Sequence, residues 1–137
     1  MEKGVFLGCS NLKSVTIGNS VKAIQGYTFK KCTNLENVTI GSSVKAIYTS
    51  AFAECTKLST ITIPSTVERI GSSAFLQCYN LKSVTILSAN VTIGEWAVGY
   101  SNNGSAYTIE GVKIYGYDGS TAEAYAEKNK IEFIKVD

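Results

Sequence analysis

The chain has 137 residues, 45% of them hydrophobic and 18% charged, enough to bury one sizeable core without a second domain. Its formal charge is +2 and Arg69 is its only arginine, so the planar, bidentate chemistry that suits phosphates and bases is nearly absent and nucleic acid is excluded as a leading partner class. No apolar run approaches the roughly 18 residues of a membrane helix, and no apolar signal segment opens the sequence.

Taken in chain order, the sequence repeats. Cys9, Cys32, Cys55 and Cys78 are each 23 residues apart, and Leu12, Leu35, Leu58 and Leu81 follow in the same phase. The next columns are Val15, Val38, Ile61 and Val84, then Thr16, Thr39, Thr62 and Thr85, then Ile17, Ile40, Ile63 and Ile86. Val21, Val44 and Val67 lead to Ile24, Ile47, Ile70 and Ile93, and Phe6, Phe29, Phe52 and Phe75 stand three residues before each cysteine. The unit reads A-F-x-x-C-x-x-L-x-x-V-T-I followed by V-x-x-I, a fixed period that signals a solenoid.

Each unit divides into three parts. In L-K-S-V-T-I, residues 81–86, apolar and polar residues alternate, which predicts a β-strand with Val84 and Ile86 inward and Thr85 outward. The V-x-x-I stretch, such as Val44 to Ile47, predicts a second, shorter extended segment, and A-F-x-x-C suits one helical or 3₁₀ turn. Equivalent strands stacked at about 4.8 Å make parallel sheets with like residues over like. Six large apolar side chains per coil supply roughly 10 to 15 kcal/mol. Ordering the backbone of a 23-residue coil at about 1 to 2 kcal/mol per residue costs more, so the coils must stack.

This pattern closely resembles the BspA-like leucine-rich repeats of bacterial proteins, with residues 51–86, including Pro64 and Gly71, as the best match. The resemblance covers about residues 4–98, and I-Y-G-Y-D-G-S-T-A-E-A-Y-A, residues 114–126, is similar to the family's usual ending. Pro64 departs from Gly18 and Gly41 in its column, and in the final coil Asn90, Val98 and Ser101 replace valine, phenylalanine and cysteine. The expected fold is a leucine-rich-repeat solenoid of right-handed coils with parallel strands and short 3₁₀ or helical turns. It would comprise a truncated first coil and about four coils over residues 1–104, closed by a strand-helix-strand cap over 105–137.

In that cap, Val112 to Tyr115 predicts a strand and Gly116 to Gly119 a turn. Ser120 and Glu123 form a capping box at the start of a helix over about 121–129, with Ala122, Tyr125 and Ala126 on one face. Ile131 to Val136 predicts a last strand, with Ile131 and Phe133 on one side and Glu132 and Ile134 on the other. At the opposite end, Gly4 to Gly8 already corresponds to a phenylalanine-bearing turn, so the sequence reads as beginning mid-repeat, as the C-terminal part of a longer array. Its uncovered edge offers a route to oligomers.

Four evenly spaced cysteines have several readings. Buried thiols are favoured; disulfides between stacked side chains have poor bridging geometry. A linear column spanning about 14 Å does not converge on zinc, and an apolar wall without any histidine does not activate a nucleophile. The absence of histidine removes the usual catalytic triads, and Glu36, Glu54 and Glu68 fall at different coil phases, so no carboxylate pair is expected. No phosphate loop appears, and neither a cofactor nor a metal is called for; the expectation is a protein that is not an enzyme.

What remains is surface. Ser14, Thr16, Asn37, Thr39, Thr60, Thr62, Ser83 and Thr85 form a polar strip on the outward strand faces, although threonine is also simply a good exposed strand residue. Tyr27 and Trp96, at equivalent coil positions, form a candidate aromatic patch. The resemblance implies a secreted or surface-attached bacterial protein that mediates adhesion through a host or extracellular protein ligand, with no membrane insertion. A structural spacer for another domain and an accessory carbohydrate-binding module are the alternatives.

Overall fold

The computed structural model describes residues 1–102 and 106–137. Four coils each carry one long and one short strand: β1 (Ser14–Ile17) with β2 (Ala23–Ile24), β3 (Asn37–Ile40) with β4 (Ala46–Ile47), β5 (Thr60–Ile63) with β6 (Arg69–Ile70), and β7 (Ser83–Ile86) with β8 (Thr92–Ile93). They are followed by β9 (Tyr100–Asn102), β10 (Ala106–Thr108), β11 (Lys113–Gly116), α1 (Thr121–Lys128) and β12 (Glu132–Lys135). The boundary at residues 104 and 105 lies outside the described residues.

The 23-residue repeat becomes a structural register. Val15 pairs with Val38, Ile61 with Val84, and Thr62 with Thr85, all in parallel. The short strands form a second parallel sheet in the order β2-β4-β6-β8, with Ile24, Ile47, Ile70 and Ile93 in one column. A third wall is made by the phenylalanine turns. There Phe29, Phe52 and Phe75 each donate a backbone N–H across to the next coil, to Ala51, Ala74 and Ala97, each at 2.8 Å.

Those turns use 3₁₀-type i→i+3 bonds, as from Cys32 to Phe29 and from Leu35 to Cys32. They do not run on into a helix because two corners per coil are left-handed. Tyr27, Ser50, Ser73 and Trp96 form one column of positive φ, and Lys31, Glu54 and Gln77 form another. In the first coil both positions are glycine, Gly4 and Gly8.

The core runs along the axis between the walls. Leu35, Leu58 and Leu81 are buried in one column, and the rings of Phe6, Phe29, Phe52 and Phe75 stack with centroids 5.2–5.3 Å apart. Val98 and Ser101 are also fully buried, and the Phe75 to Ala97 hydrogen bond keeps Val98 in the phenylalanine column although the residue type has changed.

The cap continues the stack. β11 pairs in parallel with β7, Ile114 beside Val84, and β12 pairs in parallel with β11, Ile114 beside Phe133. The β11 register is offset by 30 residues, not 23, because the antiparallel pair β9–β10 is inserted before it. Ser120 caps α1 by accepting from the Glu123 N–H, while the Glu123 carboxylate accepts the Gly119 N–H at 2.6 Å, one residue outside the cap. Ala122, Tyr125 and Ala126 face the core. At the other end of the stack, Val5, Phe6 and Leu7 are exposed beside the edge strands β1 and β2.

Candidate functional site

The long strands place the polar strip on one face. In β1 and β3 the first and third residues, Ser14, Thr16, Asn37 and Thr39, are exposed, and Ile17 and Ile40 are buried. Thr60 and Thr62 in β5 are exposed likewise, while Ser83 and Thr85 in β7 are half-buried. Pairing brings Thr16 beside Thr39 and Thr62 beside Thr85, and the Asn37 amide donates to the Ser14 hydroxyl at 3.4 Å.

The strip is longer than the repeat suggests. Tyr115 of β11 stands beside Thr85, with Ile134 of β12 beyond it, and Lys113 stands beside Ser83 and forms an ion pair with Glu132 at 3.3 Å. The seven-residue change of phase before β11 hid this continuation; the alternation in K-I-Y-G was the signal that could have found it.

The aromatic residues are not gathered into one patch. Tyr27 and Trp96 occupy the same left-handed column, but Ser50 and Ser73 stand between them, about 14 Å of stack at the strand spacing. Tyr27 is half-buried under two cations, Lys3 Nζ at 5.0 Å and Lys30 Nζ at 5.7 Å from its ring centre. Trp96 is 43% exposed on a cleft of ≈ 290 Å³ shared with Glu95, Tyr125 and Lys128.

The cysteines are structural in their contacts. Cys32, Cys55 and Cys78 are free thiols whose Sγ atoms lie 3.2 Å from the carbonyl oxygens of Phe6, Phe29 and Phe52, to which each donates across one coil. Burial pushes the Cys55 thiol far above its ordinary value of 9.0 and Cys78 up to about 12, so neither is a thiolate near neutral pH. Glu36, Glu54 and Glu68 lie beside lysines of adjacent coils, Lys57 at 4.0 Å, Lys30 at 3.4 Å and Lys45 at 3.1 Å, and not beside one another.

The sequence pattern of the BspA type leucine-rich repeat region matches residues 1–116 in six copies. The chain belongs to the BspA-type leucine-rich-repeat family. Among solved structures, this BspA-type module is similar to a leucine-rich repeat protein from Bacteroides ovatus, at 26% identity and TM-score 0.72 over 98% of this chain and 33% of that one. It is also similar to a leucine rich cell surface protein from Faecalibacterium prausnitzii, at 25% identity and TM-score 0.59, over 85% of this chain and 38% of that one. A leucine-rich repeat protein from T. pallidum, 19% identical with TM-score 0.50 over 96% of this chain and 77% of that one, shares the fold. The BspA-type module thus spans 33% of the first of these proteins and 38% of the second. Among curated proteins none matches it. Among the described residues, no helix is long and apolar enough to cross a membrane.

Proposed function

We propose that this BspA-type module is a non-catalytic, protein-binding part of a bacterial surface or secreted protein, and that the outward face of the long strands carries the contact. The observation that supports this most is the pairing of outward hydroxyls on one polar face, Thr16 with Thr39 and Thr62 with Thr85, over a core that fixes their spacing. Within each ladder, parallel stacking repeats the same hydroxyl at about 4.8 Å, a spacing that offers an extended ligand regular polar contacts with little side-chain entropy to lose. One structural neighbour is itself a cell surface protein.

The test is binding to an array of purified extracellular proteins. Replacing Thr16, Thr39 and Thr85 together by lysine abolishes specific binding on this reading, while lysine at Ser65, on a turn outside the strip, leaves it intact. Equal binding by both variants removes the strip as the site. Self-association through the exposed Val5, Phe6 and Leu7 edge belongs to the same proposal, and Leu7→Lys then shifts the sedimenting species to monomer.

A carbohydrate reading has one specific observation in its favour, the exposed Trp96 ring on the cleft beside Glu95. Glycan-array binding that is lost in Trp96→Ala supports it; a silent array ends it.

A further inference from the structure

The wall of long strands parts at one level. β1 pairs with β3, and β5, β7, β11 and β12 form one ladder, but the successive strands β3 and β5 are not joined. Glu36 and Asn37 donate to the Lys13 carbonyl, and Lys82 and Ser83 donate to the Ser59 carbonyl. Among the described residues, no counterpart runs from Ser59 or Thr60 to Glu36. The other two walls continue through the same level: Gly71 donates to Ile47, and Phe29 donates to Ala51. The coils are therefore in register, and only the outward wall has opened.

Pro64 explains where the opening falls. In the next coil its position is Leu87, whose N–H donates to the Ile63 carbonyl at 3.0 Å; proline has no N–H to offer Ile40. In the preceding coil the position is Gly41, seated so closely that a Cβ there would lie 2.5 Å from the Ile17 carbonyl oxygen. Proline brings the bulk that glycine lacks without the donor that leucine keeps, so the corner neither closes tightly nor is held by a hydrogen bond.

The parted wall is a groove of ≈ 420 Å³ in the middle of the polar strip. Its apolar lining comes from Val38, Ile61, Pro64 and Leu87, and its rim carries the hydroxyls of Thr39 and Thr62. Two facing strands without a ladder present backbone donors and acceptors together, a combination matched by a polypeptide main chain. Glu36 is the one charged residue of the lining, and Lys57 holds it only loosely at 4.0 Å, with both side chains about half exposed. Glu36 and Val38 are two residues apart, about 6.7 Å along an extended chain, which is the spacing of alternate side chains in an extended peptide. None of the lining residues is aromatic, so the groove lacks a flat face on which a sugar ring would stack.

We propose that the parted wall between β3 and β5 is the seat of an extended peptide that lays an aliphatic side chain over Val38, Pro64 and Leu87 and sets a lysine or arginine, two residues away, against Glu36. This rests on the reading of the outward strands as a protein-binding face and assigns that face a ligand class and a centre.

The probe is a display library of random linear hexapeptides selected on the full chain. Selected sequences are then synthesised with blocked ends and titrated into isotope-labelled protein. The expected result is enrichment of a basic residue two positions from Val, Ile or Leu, with amide shifts concentrated in β3 and β5. Pro64→Leu restores the missing donor and weakens binding at least tenfold, while Glu36→Gln, an exposed change that leaves the core untouched, lowers the preference for the basic residue three- to tenfold. Ser20→Lys, on an exposed turn of the first coil away from both the groove and the strip, leaves peptide binding unchanged. The inference is overturned if no selected peptide shifts β3 or β5, if Glu36→Gln leaves the selected motif unaltered, or if glycans and not peptides move those amides. Whole-protein binding abolished by the strip variants but untouched by Pro64→Leu sinks the groove alone and leaves the strip reading standing.

Discussion

The Tyr125 hydroxyl is bonded to both backbone groups of Val98, donating to its carbonyl and accepting from its N–H, each at 3.1 Å. One side chain of α1 thereby satisfies both buried backbone groups of a residue 27 positions earlier, where the repeat has lost its phenylalanine and can no longer continue the aromatic stack. Burial pushes the Tyr125 hydroxyl up to about 12, so it stays protonated and able to donate at any ordinary pH.

Tyr125→Phe keeps the ring and removes both bonds, leaving the Val98 N–H and carbonyl buried without that partner. The expected loss is about 1 to 3 kcal/mol in denaturant unfolding. A change near zero would show that the cap is held by apolar contact alone.

The phenylalanine stack is unequal along its length. Phe52 is fully buried between the rings of Phe29 and Phe75, and Phe6 is 37% exposed with a ring on one side. Phe52→Ala should cost about 3 to 5 kcal/mol, while Phe6→Ala should cost less than about 2 kcal/mol. Equal losses from the two variants, measured by chemical denaturation, would contradict the stacked arrangement.

The repeat made most of this legible. A strict period fixed which residues share a column, and alternation within S-V-T-I fixed which side chains of the long strands face solvent. The left-handed corners were harder to see, because Tyr27 and Lys31 carry ordinary side chains; only Gly4 and Gly8, in phase with them, hint at the conformation. Past Gly99 the period itself fails. Gln77 donates to the Tyr100 carbonyl, where Glu54 donates to Leu76, a slip of one residue that opens into the β9–β10 insertion. The parting at Pro64 was visible as a departure from the glycine column, but its consequence depends on how tightly Gly41 sits on the coil before it, which no single sequence discloses.

Close seating recurs on the second wall. A Cβ on Gly71 would lie 2.6 Å from the Thr49 amide nitrogen, whereas one on Gly18 meets nothing within 4 Å. Gly71→Ala should therefore destabilise by about 1 to 3 kcal/mol by pushing adjacent coils apart. Gly18→Ala should be neutral or stabilise by up to about 1 kcal/mol by restricting the unfolded chain. Thermal unfolding of the two single variants checks the contrast, and a loss at Gly18 matching that at Gly71 would rule it out.

Alkali should unfold the protein through its thiols. Cys55 and Cys78 have folded values raised by burial above the ordinary 9.0, so the unfolded chain releases those protons first. Their contribution is whole below about pH 9 and is lost as pH rises from there toward 12, by about 1.4 kcal/mol per pH unit for each thiol still protonated in the fold. The Cys55→Ala, Cys78→Ala double variant should be less stable at pH 7 yet show a shallower decline between pH 9 and 11. An unchanged slope in urea titrations would exclude the thiols as its source.

In-register stacking at 23-residue intervals underlies both the polar strip and the groove within it, and through-space magnetisation transfer between phenylalanine rings tests it most directly. With centroids 5.2 Å apart for Phe29 and Phe52 and 5.3 Å for Phe52 and Phe75, ring-to-ring cross-peaks should link these residues in sequence order along the stack. Rings that show cross-peaks only to residues within one turn of sequence, and none to the phenylalanine of the adjacent coil, would contradict the account.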